Sequence, residues 1–152
     1  MDKELVSDGT IPVFSANVNE PFGYIDKLLI TDFSMPSVLL GIDGDWMTSY
    51  MPENEEFYPT DHCGVLRCKT EEVNTRYLVH ILEVKGRKMG FSRSYRASID
   101  RVQGIAFSVP ERTLQDTIIA QIKAIESQIN EANKKLEELA GKTAEIVERY
   151  LN

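Results

Sequence analysis

TIIAQIKAIESQINEANKKLEELAGKTAEIVERY, residues 117–150, contains no proline and one glycine, Gly141. Its apolar positions alternate in steps of four and three. With Ile122 taken as position a, Ile129, Leu136, Thr143 and Tyr150 also fall at a, and Ile118, Ile125, Ala132, Leu139 and Ile146 fall at d. A heptad seam held for this long is the pattern of a coiled coil. Thr113 reads as the N-cap, with Asp116 three residues on as a weak capping box. The ~38 helical residues then make a rod roughly 57 Å long. A domain built from the preceding ~110 residues is only about 30 Å across and cannot cover such a rod. Each seam side chain is worth about 1.5–3 kcal/mol when buried, so the stripe calls for a partner helix from a second copy or another protein. Ala132, near the middle of the stripe, lets two helices approach closely, and Gly141 marks a local bend or a docking point.

Before Pro110 the texture differs. Short apolar runs alternate with Gly, Pro, Asn and Asp, and strands are expected at 11–15, 37–42, 46–51, 64–68 and 105–109. The GIDGDW segment, 41–46, reads as a tight hairpin turn, with glycine able to take positive φ. One helix is expected at 74–85, where Tyr77, Leu78, Ile81 and Leu82 recur at helical spacing and Gly86 follows as the stop. The expected fold class is α+β. A mixed α/β globular domain of short strands, residues 1–110, precedes one long coiled-coil helix, residues 111–152.

At 152 residues, with 42% hydrophobic and 9% aromatic content, the chain suits one packed domain plus an appendage. No apolar run approaches the ~20 residues that span a bilayer. The N-terminal MDKELVSDGT lacks a signal-peptide core, so a cytoplasmic protein is expected. Two cysteines are too few for a disulfide framework and fit a reducing compartment.

The net charge is −7, but it is unevenly placed. Residues 1–84 carry −10 and residues 111–152 carry −2, while residues 85–101 carry +5. That basic stretch holds Lys85, Arg87, Lys88, Arg93, Arg96 and Arg101 against Asp100 alone. Ser92, Ser94, Tyr95 and Ser98 are threaded through it. The positive charge is expected to be unpaired locally, and Gly86 and Gly90 to let a ligand approach the backbone. Arginine forks suit guanine edges, and hydroxyl groups suit phosphate oxygens. The stretch is therefore the candidate DNA surface, although a solvated loop has the same composition. Asn17, Tyr50 and Thr60 are weaker candidates, drawn from loops by the family resemblance described below.

Other motifs point less far. NEPF, 19–22, is close to the Asn-Pro-Pro-Phe loop of N6-adenine methyltransferases, but Glu20 replaces the first proline and the glycine-rich cofactor loop is missing. Turn chemistry accounts for it. His62, Cys63, Cys68 and His80 are N and S donors at a spacing that fits no closed zinc site, and Cys63 and Cys68 point to opposite faces of a strand. The acidic run 53–57 lacks calcium-loop spacing. Neither a metal nor a cofactor is expected.

Five stretches together resemble a known family: IPVFSANVNEPFGYID (11–26), VLLGIDGDW (38–46), FYPTDHCGVLR (57–67), SRSYRASIDRV (92–102) and VPERTLQDTIIAQI (109–122). In this order they are similar to the specificity subunit of type I restriction-modification systems and to recognition modules fused to N6-adenine methylases. The family's usual Glu-Gln pair ahead of the long helix is replaced here by Leu114-Gln115. The resemblance implies a target recognition domain for double-stranded DNA followed by a spacer helix. It also implies no catalysis of the chain's own, and docking of methyltransferase and restriction subunits. A full specificity subunit carries two recognition domains and two antiparallel helices. One of each implies a half-subunit that pairs with a second copy. The competing readings are a coiled-coil scaffold whose α/β head binds protein, and a small enzyme centred on His62 and Cys63.

Overall fold

The structure, a computed structural model, describes residues 5–6 and 8–151. In chain order the elements are β1 (Ile11–Phe14), β2 (Gly23–Ile25), β3 (Ser37–Gly41), β4 (Met47–Met51), β5 (Tyr58–Pro59), β6 (Cys63–Leu66), α1 (Thr75–Lys88), α2 (Ile99–Gln103) and α3 (Arg112–Leu151). The class is α+β, as expected. Contacts divide the chain into two compact units, residues 1–115 and 116–152.

The first unit is organised around β3. Every residue of this strand is buried. It pairs antiparallel with β4 on one side, Leu39 opposite Ser49, and antiparallel with β6 on the other, Leu39 opposite Val65. Alternate side chains enter different cores, as strand pleating dictates. Val38 and Leu40 join Trp46, Leu78, Val79 and Leu82 under α1. Leu39 joins Phe14, Val18, Phe57 and Cys63 on the opposite face. A second sheet, in order β2-β1-β5, supplies Phe14 to that opposite face. Its β1–β2 pair is antiparallel, Ile11 opposite Ile25, and β1–β5 is parallel, Val13 opposite Tyr58. NEPF is the connection between β1 and β2.

Helix α1 is set on the β3–β4 surface by polar as well as apolar contacts. The Trp46 indole donates to the Leu82 carbonyl at 3.2 Å, and the Thr48 hydroxyl donates to the Val79 carbonyl at 3.0 Å. Asn74 caps the helix, its Oδ1 accepting from the Arg76 amide at 2.8 Å. The expected stop at Gly86 is corrected. Gly86 is buried inside α1, where a Cβ would come within 2.3 Å of the Trp46 ring. Its closely approaching partner is a tryptophan of the same unit. Gly90, at φ +79°, ends the helix instead. The Gly90 amide donates to Arg87 and the Phe91 amide to Gly86, a Schellman closure.

Two other expectations are revised. Residues 105–109 form no strand: Ile105 is buried beneath α1 and Phe107 packs beside it, while the Tyr77 hydroxyl donates to the Ser108 carbonyl at 3.4 Å. The apolar alternation was a sign of packing against α1, without a ladder. Thr113 lies inside the first turn of α3, which begins at Arg112. Elements β2, β5 and α2, at three, two and five residues, are too short to carry a periodic signal.

The start of α3 is tied into the first unit. Gln115 is fully buried, with its Oε1 accepting from the Asn74 amide at 2.8 Å. Its Nε2 donates to the Glu72 and Pro110 carbonyls at 2.9 and 2.7 Å. Arg112 also donates to the Glu71 carbonyl.

The second unit is helix alone. All of residues 123–151 are exposed. The seam positions Ile125, Ile129, Leu136, Leu139 and Ile146 are each more than half exposed, and Ile118 and Ile122 are half-buried. Thr143, the polar a-position, donates its hydroxyl to the Leu139 carbonyl at 3.0 Å and so satisfies itself within the helix. Among the described residues no helix is long and apolar enough to cross a membrane.

Candidate nucleic-acid interface

The basic stretch folds as a loop pinned at buried points. Phe91 and Ala97 enter the core beneath α1, and Phe91 meets Trp46 edge-on at 5.2 Å between centroids. Between these anchors Ser92 and Tyr95 exchange backbone hydrogen bonds of 3.0 and 3.1 Å, placing Arg93 and Ser94 at the tip of a tight turn. Ser98 then caps α2, its hydroxyl accepting from the Arg101 amide at 3.4 Å. Arg101 lies over the Tyr95 ring at 4.2 Å and donates to the Arg96 carbonyl at 2.6 Å, bracing the loop from behind.

This loop borders a cleft of about 380 Å³. Arg93 and Arg96 line one side. Asp43, Gly44, Asp45 and Met47 line another, with Ala16 and Asn17 from the loop after β1. The β3–β4 turn is held against that loop because Gly41 passes the Ala16 carbonyl so closely that a Cβ would lie 2.3 Å from its oxygen. Gly44 takes φ +138°, a conformation L side chains rarely adopt. Asp43 is the electrostatic hub. Its Oδ1 lies 2.9 Å from Arg96 Nε, and its Oδ2 lies 2.9 Å from His62 Nδ1.

The local positive charge is therefore less free than composition implied. Arg96 meets Asp43, and Arg87 pairs with Glu83 one turn back on α1. Folding offsets part of the segregated charge, Arg96 by Asp43 from a distant turn and Arg87 by Glu83 four residues before it. Among the described residues Lys88 and Arg93 have no ion-pair partner, and both are exposed. Lys85 is half-buried on α1. Ser92 and Ser94 share a hydroxyl contact of 3.1 Å.

Of the three outlying candidates, only Asn17 is brought to the cleft. Tyr50 lies on β4 with the Arg76 guanidinium 3.7 Å above its ring. Thr60 is buried, its hydroxyl donating to Ser15 at 3.2 Å and accepting from the His62 amide at 3.2 Å. Sequence reasoning missed Asp43, Asp45 and His62 as members of this cluster. The two glycines flanking Asp43 were the available signal, since they mark a turn held close to another backbone.

The thiols lie elsewhere. Cys63 is buried with Leu39 and Phe57, and Cys68 packs toward the α1 core on the other face. Burial pushes the Cys63 thiol up to about 12. A thiol so raised is a poor nucleophile at neutral pH. Among the described residues no group of three or more His, Cys, Asp or Glu could hold a metal ion.

A short-stranded α+β unit bearing a cleft of guanidinium, carboxamide and carboxylate groups, joined to a long helix with an exposed apolar stripe, has the form of a recognition module. The model of the type I restriction modification DNA specificity domain matches residues 1–140, and the chain belongs to that family. Its role lies in the DNA sequence specificity of a type I restriction-modification system, in association with the other subunits of that complex. Comparison with curated proteins and with solved structures gave no match.

Proposed function

We propose that this chain is the non-catalytic recognition component of its complex and that each copy reads one half-site of duplex DNA. In this reading the unit 1–115 makes the contacts, chiefly through Arg93, Arg96, Ser94, Lys88 and Asn17. The supporting observation is the cleft. It gathers side chains from three loops far apart in sequence, and their donors and acceptors are the ones that read base edges. Lys88 and the exposed tip residues Arg93 and Ser94 suit flanking phosphates, which position a protein without specifying sequence.

The unit 116–152 acts as the spacer. Its exposed stripe pairs antiparallel with the same stripe of a second copy, through Ile118, Ile122, Ile125, Ile129, Ala132, Leu136, Leu139, Ile146 and Tyr150. Ala132 stands at the midpoint of α3, so a two-fold axis there overlaps the helices along their length. The same helices provide the docking face for methyltransferase subunits. Selection of bound duplexes from a random pool tests the reading. A recovered motif with steep salt dependence is expected, and indifference to DNA would rule it out.

A further inference from the structure

We propose that Arg96 reads a guanine in the target and that Asp43 is the positioning residue that aims it. The inference rests on the DNA-reading function above and deepens it at the same cleft. An arginine side chain that is 66% exposed samples many rotamers unless something holds it. Here the Asp43 carboxylate sits 2.9 Å from Nε. A carboxylate at Nε engages the inner edge of the guanidinium, and the Nη1–Nη2 fork at its outer end is the part that matches guanine O6 and N7. Asp43 is itself fixed. It stands on the turn held by Gly41 and Gly44, the Ile42 amide donates to the His62 carbonyl at 3.2 Å, and His62 Nδ1 flanks the other carboxylate oxygen.

The charge of the cleft chooses between a base and a phosphate. Two arginines, Arg93 and Arg96, and two aspartates, Asp43 and Asp45, line the cleft, so its formal charges sum to zero. A phosphate entering beside Arg96 meets the carboxylates as well and gains little, whereas Arg93, exposed at the turn tip, can meet one at the rim. A neutral base edge, with its own donors and acceptors, meets complementary groups from Arg96, Asn17 and the carboxylates. Met47 and Ala16 give an apolar side to the same cleft, which suits the flat face of a base.

The experiment is selection of duplexes from a random pool by the full chain and by Arg96→Ala, Arg96→Lys, Asp43→Asn and the Asp43→Asn/Arg96→Ala double variant, each checked for its melting transition. Arg96→Ala removes the preference for guanine at one position, by roughly 5- to 150-fold, the range for a bidentate base contact. Asp43→Asn weakens that same position by about tenfold and leaves the others unchanged. In the double variant Asp43→Asn adds nothing to Arg96→Ala. Arg96→Lys keeps a cation beside Asp43 but has no planar fork, and it weakens the guanine preference. That variant carries the test if Asp43→Asn does not fold. Tighter binding of Asp43→Asn to all sequences alike, with a steeper salt slope, makes Asp43 a simple counter-ion and overturns the proposal. So does a guanine preference undiminished in Arg96→Lys, or a motif unaffected by Arg96→Ala. Recovery of no motif by the unaltered chain removes the functional reading itself, a failure distinct from these.

Discussion

Arg93 and Arg87 have the same chemistry and belong to one basic run, yet folding gives them different surroundings. Arg87 is paired with Glu83, whereas Arg93 stands exposed at a turn tip beside the cleft. Arg93→Ala is expected to weaken DNA binding by about 1–3 kcal/mol, and a lost phosphate contact lowers the log–log salt slope by about 1. Arg87→Ala should change both far less. Equal effects of the two in a salt titration would contradict this assignment. The cysteines make a second pair of contrasts. With Cys63 raised to about 12 by burial, its thiolate fraction at pH 8 is about one in ten thousand. Thiol titration of the folded chain at pH 8 should find Cys68 reactive and Cys63 silent until denaturant is added. The sign for stability follows. Below the free-thiol value of 9.0 both folded and unfolded states keep the proton. As pH rises from there toward about 12 only the unfolded chain loses it, and stability falls.

At the scale of elements, α1 and the start of α3 are the parts whose placement other features depend on. Gly86 lies against the Trp46 indole, and Trp46 in turn supports Phe91, one anchor of the basic loop. Gly86→Ala would force the ring aside, with an expected destabilisation of about 1–3 kcal/mol. A lowered melting temperature, with DNA affinity reduced by displacement of the loop, is the signature to measure. Gln115→Ala removes three hydrogen bonds at a fully buried position, one from the Asn74 amide and two to the Glu72 and Pro110 carbonyls. Leaving even one such group unsatisfied costs about 1–3 kcal/mol, so this variant should melt well below the parent. A Gln115→Ala protein as stable as the parent would mean that water replaces the amide completely.

For the whole molecule, the decisive quantity is what covers the apolar stripe of α3. Side chains such as Ile125 and Leu136, exposed at 56% and 63%, each stand to gain about 1.5–3 kcal/mol on burial. The chain is therefore expected to sediment as a dimer at tens of micromolar. Ile125→Asp/Leu136→Asp should yield monomers with reduced helicity and an intact first unit. DNA binding should weaken beyond any lost contact, since two linked recognition units profit from effective concentration. A monomer with a fully formed helix would show the stripe to be a docking face for other subunits alone.

The long helix with its apolar stripe, the β3–β4 hairpin and α1 were legible in the sequence because each is encoded by local periodicity or by turn residues a few positions apart. The long-range arrangement was not. Residues 105–109 alternate like a strand but pack against α1, and Gly86 looks like a terminator but is a close contact. Local pattern cannot tell a ladder from a packed extended segment, or a cap from a crossing point. The sequence alone determined that the positive charges are concentrated in one run. Only the tertiary structure decided which of them are neutralised, by bringing Asp43 to Arg96 and setting His62, from the β5–β6 connection, beside it. Periodicity is a property of neighbours along the chain. The cleft is a property of three loops far apart in sequence that meet only because β3 and the small sheet bring them together.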